Sequence, residues 1–103
     1  MPESVEATET IRRRLLRWLS QGEYDFDALQ EALELGVRDL ERDLRHVERT
    51  VRRRGKRLRV SAPRCSDCGF DFPGRTARHL HTPSRCPKCR GERIAPSRFR
   101  VAR

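Results

Sequence analysis

All four cysteines and two of the three histidines of the chain fall in one stretch near the C-terminus, RCSDCGFDFPGRTARHLHTPSRCPKCRG, residues 64–91. Cys65 and Cys68 form one C-x-x-C pair and Cys86 and Cys89 a second, with 17 residues between the pairs. A tight turn through each pair aims two thiolates at one centre, and two such turns complete a tetrahedron. Two pairs at this distance read as one structural zinc ion in a zinc ribbon. Iron of rubredoxin type would use the same ligands, but no redox-partner signal accompanies them, and zinc is favoured. Four thiolates close the metal's shell and leave no position for substrate or water, so catalysis is not expected. His79 and His81 lie mid-loop, no H-x-E pattern joins them to the cysteines, and both read as exposed loop residues.

Around the cysteines the chain supplies turn formers. Gly69 and Gly91 sit where a backbone curling round a metal often needs positive φ, and Pro87 pre-sets the second turn. GFDF and RFRV alternate apolar and charged residues. They read as short strands whose Phe70, Phe72, Ile94, Phe99 and Val101 cover the site.

The rest of the chain must position this staple or be positioned by it. At 103 residues, 35% apolar and 38% charged, the sequence can bury only a modest core, which suits a metal-stapled fold. No apolar run of signal-peptide or membrane-spanning length is present. The cytoplasm, where thiols stay reduced, is therefore the expected compartment.

Three helical segments precede the cysteines. In ATETIRRRLLRWLSQG, Ile11, Leu15, Leu16, Trp18 and Leu19 recur at helical spacing, with Trp18 expected in the core and Gly22 as a stop. In DFDALQEALELG, Asp25 is the expected N-cap and Phe26, Leu29, Ala32 and Leu33 form the buried face. Gly36 is the expected left-handed residue after that helix. The third segment, VRDLERDLRHVERTVRRRG, sets Val37, Leu40, Leu44, Val47 and Val51 on one seam and ends at Gly55. KRLRVSA then alternates like a half-buried strand.

Charge is unevenly placed. The net charge is +9, yet residues 1–36 carry four Arg against eight acidic residues, so the basic excess belongs to residues 37–103. Of the 24 basic residues only Lys56 and Lys88 are Lys. On the third helix Arg38, Arg42, Arg45, Arg49 and Arg52 recur at steps of three and four and form a stripe opposite the seam. Arg53 and Lys56 extend it. An ordinary solvated face could hold the same stripe, with Glu41 four residues before Arg45 and Glu48 four before Arg52 as partners. The layout of helix, short helix, tight turn and longer basic helix is that of a helix-turn-helix, whose second helix enters a DNA groove. On that basis Arg38, Arg42 and Arg45 read as base contacts, and Arg49, Arg52, Arg53 and Lys56 as phosphate contacts. His46 reads as a flank residue.

RDLERDLRHVERTVRRRGKRLRVSAPRC, CGFDF and PSRCPKCRGERIAPSRFRV together resemble a family of small prokaryotic predicted transcriptional regulators. In that family an N-terminal helix-turn-helix is fused to a C-terminal zinc ribbon. The resemblance covers about two-thirds of the chain and implies DNA binding and a zinc held by Cys65, Cys68, Cys86 and Cys89.

The expected fold is α+β: a three-helix, winged-helix-like helix-turn-helix over residues 1–60, followed by a small β zinc ribbon over residues 61–103. The expected function is DNA binding and transcriptional regulation, on double-stranded DNA, with the ribbon in the place of a wing and Arg75, Arg78 and Arg85 adding backbone contacts. The layout also admits a homodimer. The alternative is a zinc-ribbon interaction module for RNA or for a protein of the transcription or translation machinery. Neither membrane attachment nor a small-molecule substrate is indicated. With no nucleophile–base pair, phosphate-cradling glycine loop or carboxylate constellation, the chain does not read as an enzyme.

Overall fold

The computed structural model describes residues 10–72 and 80–103. Three helices lead. In α1 (Ile11–Gln21), Thr10 caps the N-terminus by accepting the Arg13 N–H on its Oγ1, and Gly22 closes the other end on the Trp18 carbonyl. A two-residue strand, β1 (Tyr24–Asp25), leads into α2 (Phe26–Leu33). Asp25 caps α2, its Oδ1 accepting the Ala28 N–H at 2.7 Å. The left-handed residue after α2 is Glu34, at φ 54°, and not Gly36 as expected. Leu35 closes that turn, its N–H bonded to the Gln30 carbonyl and its own carbonyl accepting from the Gln30 side chain. Gly36 instead has extended backbone and occupies the N-cap of α3 (Val37–Arg53).

The third helix buries Leu40, Leu44, Val47 and Val51, four of the five expected seam residues, while Val37 stays 38% exposed. Arg52 and Arg53 in its last turn complement the negative end of the helix dipole. Gly55, at φ +74°, reverses the chain there, and the Lys56 N–H returns to the Val51 carbonyl.

The chain then runs through β2 (Arg57–Ser61) and β3 (Arg64–Cys65), passes the cysteine turns, and ends with β4 (Ile94–Ala95) and β5 (Arg98–Ala102). A two-stranded sheet joins β3 to β4 in antiparallel register. The other sheet has the order β1-β5-β2, so the last strand of the chain lies between two strands that come before the cysteines. Phe99 faces Tyr24 on one side and Val60 on the other.

This placement corrects the expected role of RFRV. Phe99 is fully buried in one cluster with Leu15, Leu19, Phe26, Leu40 and Leu44, and Val101 packs against the same cluster. Neither covers the cysteines. The expected strand in GFDF reduces to one bridge, Arg64 to Asp71. Trp18 packs at the edge of the core and stacks on Tyr24 with ring centroids 5.8 Å apart. The fold is thus a mixed helix–sheet arrangement in which one core serves both the helices and the C-terminal strand. Among the described residues no helix is long and apolar enough to cross a membrane.

Candidate metal centre and basic face

Two chain reversals build the metal site, and they repeat one hydrogen-bond pattern. In the first, the Gly69 N–H bonds to the Cys65 carbonyl and the Cys65 N–H to the Phe70 carbonyl, each at 2.9 Å. In the second, Arg90 bonds back to Cys86 at 2.9 Å and Cys86 to Gly91 at 2.8 Å. Gly69 has φ +78°, as expected. In the second turn the left-handed residue is Arg90, at φ 62°. Gly91 is required for space, since a Cβ there would collide with the Asp67 carboxylate and crowd the Cys89 sulfur. Asp67 also binds Arg93, whose Nε donates to its Oδ1 at 2.8 Å, tying the first turn to the residue that precedes β4.

The four sulfur atoms lie within 4.8 Å of one another. Cys65 to Cys89 is 3.6 Å and Cys68 to Cys86 is 3.7 Å, so each short edge joins one turn to the other. A tetrahedral zinc with Zn–S bonds of about 2.3 Å needs sulfurs about 3.8 Å apart, and these edges fit it. Backbone amides add support, with Lys88 N–H donating to Cys86 Sγ and Gly91 N–H to Cys89 Sγ, both at 3.3 Å.

The four thiols shift one another's ionisation. Desolvation works against ionising Cys86, but the backbone amides of Cys89 and Lys88 and the nearby thiols bring it down to about 7. For Cys89 the Gly91 amide acts to lower the value, yet desolvation and the other three sulfurs push it up to about 12. Four thiolates at this separation require a positive charge among them, and a soft divalent ion supplies it. The residues present therefore fit a single structural zinc. Cys65 and Cys86 are buried, and Cys68 and Cys89 lie nearer the solvent.

His81 is not the exposed loop residue expected from the sequence. Its Nδ1 lies 3.1 Å from Glu41 Oε2, and that same oxygen accepts the N–H groups of Leu80 at 2.8 Å and His81 at 3.2 Å. Glu41 is only 7% exposed and Leu80 4%, so this α3 glutamate reaches inward to hold residues 80 and 81. The next residue, Thr82, donates to Asp27 on α2 at 2.6 Å. The segment entering the second cysteine turn is thereby fastened to both α2 and α3. His79, Arg75 and Arg78 lie outside the described residues; Arg85 is exposed.

Of the stripe on α3, Arg38, Arg42, Arg49, Arg52 and Arg53 are exposed, as is Lys56 beyond the helix, while Arg45 is half-buried. Part of this charge is locally balanced. Arg42 meets Asp39 at 3.2 Å and Asp43 at 3.9 Å, and Arg52 meets Glu48 at 3.8 Å, the pair anticipated for that position. Buried Asp43 also bonds Arg12 of α1 at 2.9 Å, while His46 lies 3.3 Å from another nitrogen of the same guanidinium. Desolvation, then the positive charges of Arg12, Arg49 and Arg53, hold His46 below the ordinary histidine range. No apolar periodicity marks Glu41 or Asp43 as buried. Their partners are 31 to 40 residues away in sequence, and only tertiary contact reveals them.

Two family models match the chain: "PF0610-like, N-terminal" over residues 10–59 and "PF0610 rubredoxin-like zinc beta-ribbon domain" over residues 62–103. No curated protein matches it. Among solved structures, the solution NMR structure of protein PF0610 from Pyrococcus furiosus is similar, with TM-score 0.72 and 30% sequence identity. The match covers 93% of this chain and 91% of that one. The helical segment, the cysteine turns and the strand that returns between β1 and β2 all fall within the matched residues, and the chain belongs to the PF0610-like family, with a C-terminal zinc ribbon.

Proposed function

We propose that the protein binds double-stranded DNA through α3, as a transcriptional regulator of helix-turn-helix, winged-helix-like type. The observation that carries this reading is the orientation of α3. Its seam is locked in the core, while Arg38, Arg42 and Arg49 stand on the solvent side of a 17-residue helix. Such a helix is about 25 Å long, enough to lie in a major groove about 12 Å wide. His46 adds a smaller support: desolvation is the first cause of its lowered pKa, and the positive charges of Arg12, Arg49 and Arg53 act in the same direction. Glu41 adds a second support by anchoring residues 80 and 81 beside α3, where a zinc-held segment takes the place of a wing.

In this arrangement the zinc fixes shape. Arg38, Arg42 and Arg45 meet base edges; Arg49, Arg52, Arg53 and Lys56 meet phosphates. No catalytic step is involved, and the reducing cytoplasm that keeps the thiols available for metal is the matching compartment.

Titrating duplex DNA into the zinc-loaded protein at several salt concentrations tests the proposal. A steep linear fall of log K with log salt is expected, with a slope of about 0.9 per phosphate contact. A flat dependence contradicts phosphate binding. Arg42→Ala with Arg45→Ala should narrow the difference between preferred and scrambled sequences; equal loss on both would make these residues positioners.

One observation favours the interaction-module reading instead. Arg42 and Arg52 are balanced within their own helix, as on a solvated face. Saturable binding to a protein partner, with no affinity for duplex DNA, is the result that reading requires.

A further inference from the structure

The outer face of the three-stranded sheet carries a second set of arginines that sequence periodicity on α3 does not reveal. Side chains alternate along a strand, and the β2–β5 register sorts them onto two faces. Leu58, Phe99 and Val101 point into the core. Arg57 and Arg59 of β2 therefore share the opposite face with Arg98 and Arg100 of β5, and all four are exposed. Arg59 and Arg100 are register partners, directly across from each other. Like charges so placed destabilise a sheet unless an anion lies over them.

The charge on this face is also less balanced than that on α3. Arg98 reaches Glu23 at 3.8 Å and has Asp25 of β1 as its register partner on the same face, so the unbalanced charge is that of Arg57, Arg59 and Arg100. Among the described residues no carboxylate comes within ion-pair distance of Arg57, Arg59 or Arg100. Exposed edge strands often carry basic residues to discourage pairing with other chains, which would account for β2. It does not account for Arg98 and Arg100, because β5 is the central strand. The face holds no aromatic ring, so it lacks the platforms on which single-stranded bases stack. Arginine forks on a flat surface match phosphate oxygens.

We infer that the outer face of the sheet, centred on the Arg59–Arg100 pair, is a second contact surface for the sugar-phosphate backbone of duplex DNA. It binds without reading sequence. The inference rests on the DNA-binding reading but concerns a surface separate from α3.

The test compares the zinc-loaded wild type with Arg59→Gln/Arg100→Gln, using one mixed-sequence duplex and a second of scrambled order. The double variant should lower the slope of log K against log salt by roughly 2 on both duplexes alike, as expected for two lost phosphate contacts. Its melting midpoint at low salt should hold or rise, because a facing like-charge pair is gone. Should that variant fail to fold, Arg57→Gln, opposite the uncharged Ala102, is expected to lower the slope by about 1. A wild type with a steep slope and variants with the same slope would overturn the inference and leave α3 binding intact. A wild type with no salt-dependent binding would overturn both.

Discussion

Glu41, in the middle of the basic helix, accepts the backbone N–H of Leu80 at 2.8 Å across 39 residues of sequence. Leu80 itself is buried in the core, and the same carboxylate oxygen holds His81. Replacing Glu41 with Ala leaves the Leu80 amide buried without an acceptor. That should cost about 2 kcal/mol of stability. It should also free residues 80–82, and amide hydrogen exchange at Leu80 and His81 will report it: faster exchange at both is expected. Unchanged protection there would mean that the contact does not hold the segment.

The same contact sets a pH dependence. Burial alone would raise the Glu41 pKa, but the His81 side chain and the two amides outweigh it and hold the group below the ordinary glutamate range. A carboxylate with a depressed folded-state pKa contributes stability that is present above its unfolded value and lost as pH falls through the folded value. Unfolding free energy should therefore decline on acidification below about pH 4.5, and Glu41→Gln should flatten that part of the profile. Equal acid sensitivity of wild type and Glu41→Gln would assign the decline to other carboxylates.

Phe99 ties the end of the chain to its beginning. It lies in the cluster formed by Leu15, Leu19, Phe26, Leu40 and Leu44, and its strand pairs with both β1 and β2. Phe99→Ala should destabilise the helices by about 3–5 kcal/mol, even though it lies in the matched ribbon segment. A fragment ending at residue 60 lacks the central strand of its sheet, and its circular dichroism should lack a cooperative thermal transition. A cooperatively melting fragment would show that the helices need no help from β5.

Metal removal should act first on the ribbon. The zinc-free site would hold four mutually repelling sulfurs, so chelation should release the two cysteine turns and with them the β3–β4 pairing. Structural zinc contributes on the order of 10–16 kcal/mol of apparent binding energy coupled to folding. Cys86→Ser should reduce bound zinc below one per chain and lower the melting midpoint. Retention of a full equivalent with an unchanged midpoint would place the metal elsewhere.

How much of this is legible before folding depends on whether a feature is local. The α3 seam follows from spacing alone, because Leu40, Leu44, Val47 and Val51 lie on one side of any α-helix. The Asp25 cap and the cysteine pairs are local in the same sense. The destination of Phe99 is not: an alternating five-residue strand looks the same whether it covers a metal or completes a distant sheet. Glu41 shows the limit for charged residues, since nothing near it in sequence signals the buried Leu80 amide. The left-handed residue after α2 is Glu34 and not the expected Gly36, because the Gln30–Leu35 bonds close the turn earlier. The arginines on the sheet become a surface only once β2 is known to pair with β5.

Backbone NMR of the zinc-loaded protein, titrated with duplex DNA, tests the proposed function most directly. Salt-sensitive shifts at Arg38, Arg42, Arg45 and Arg49 are predicted, with the buried seam of Leu44 and Val47 little changed. Perturbation confined to the cysteine turns, or no perturbation at all, would contradict DNA binding through α3.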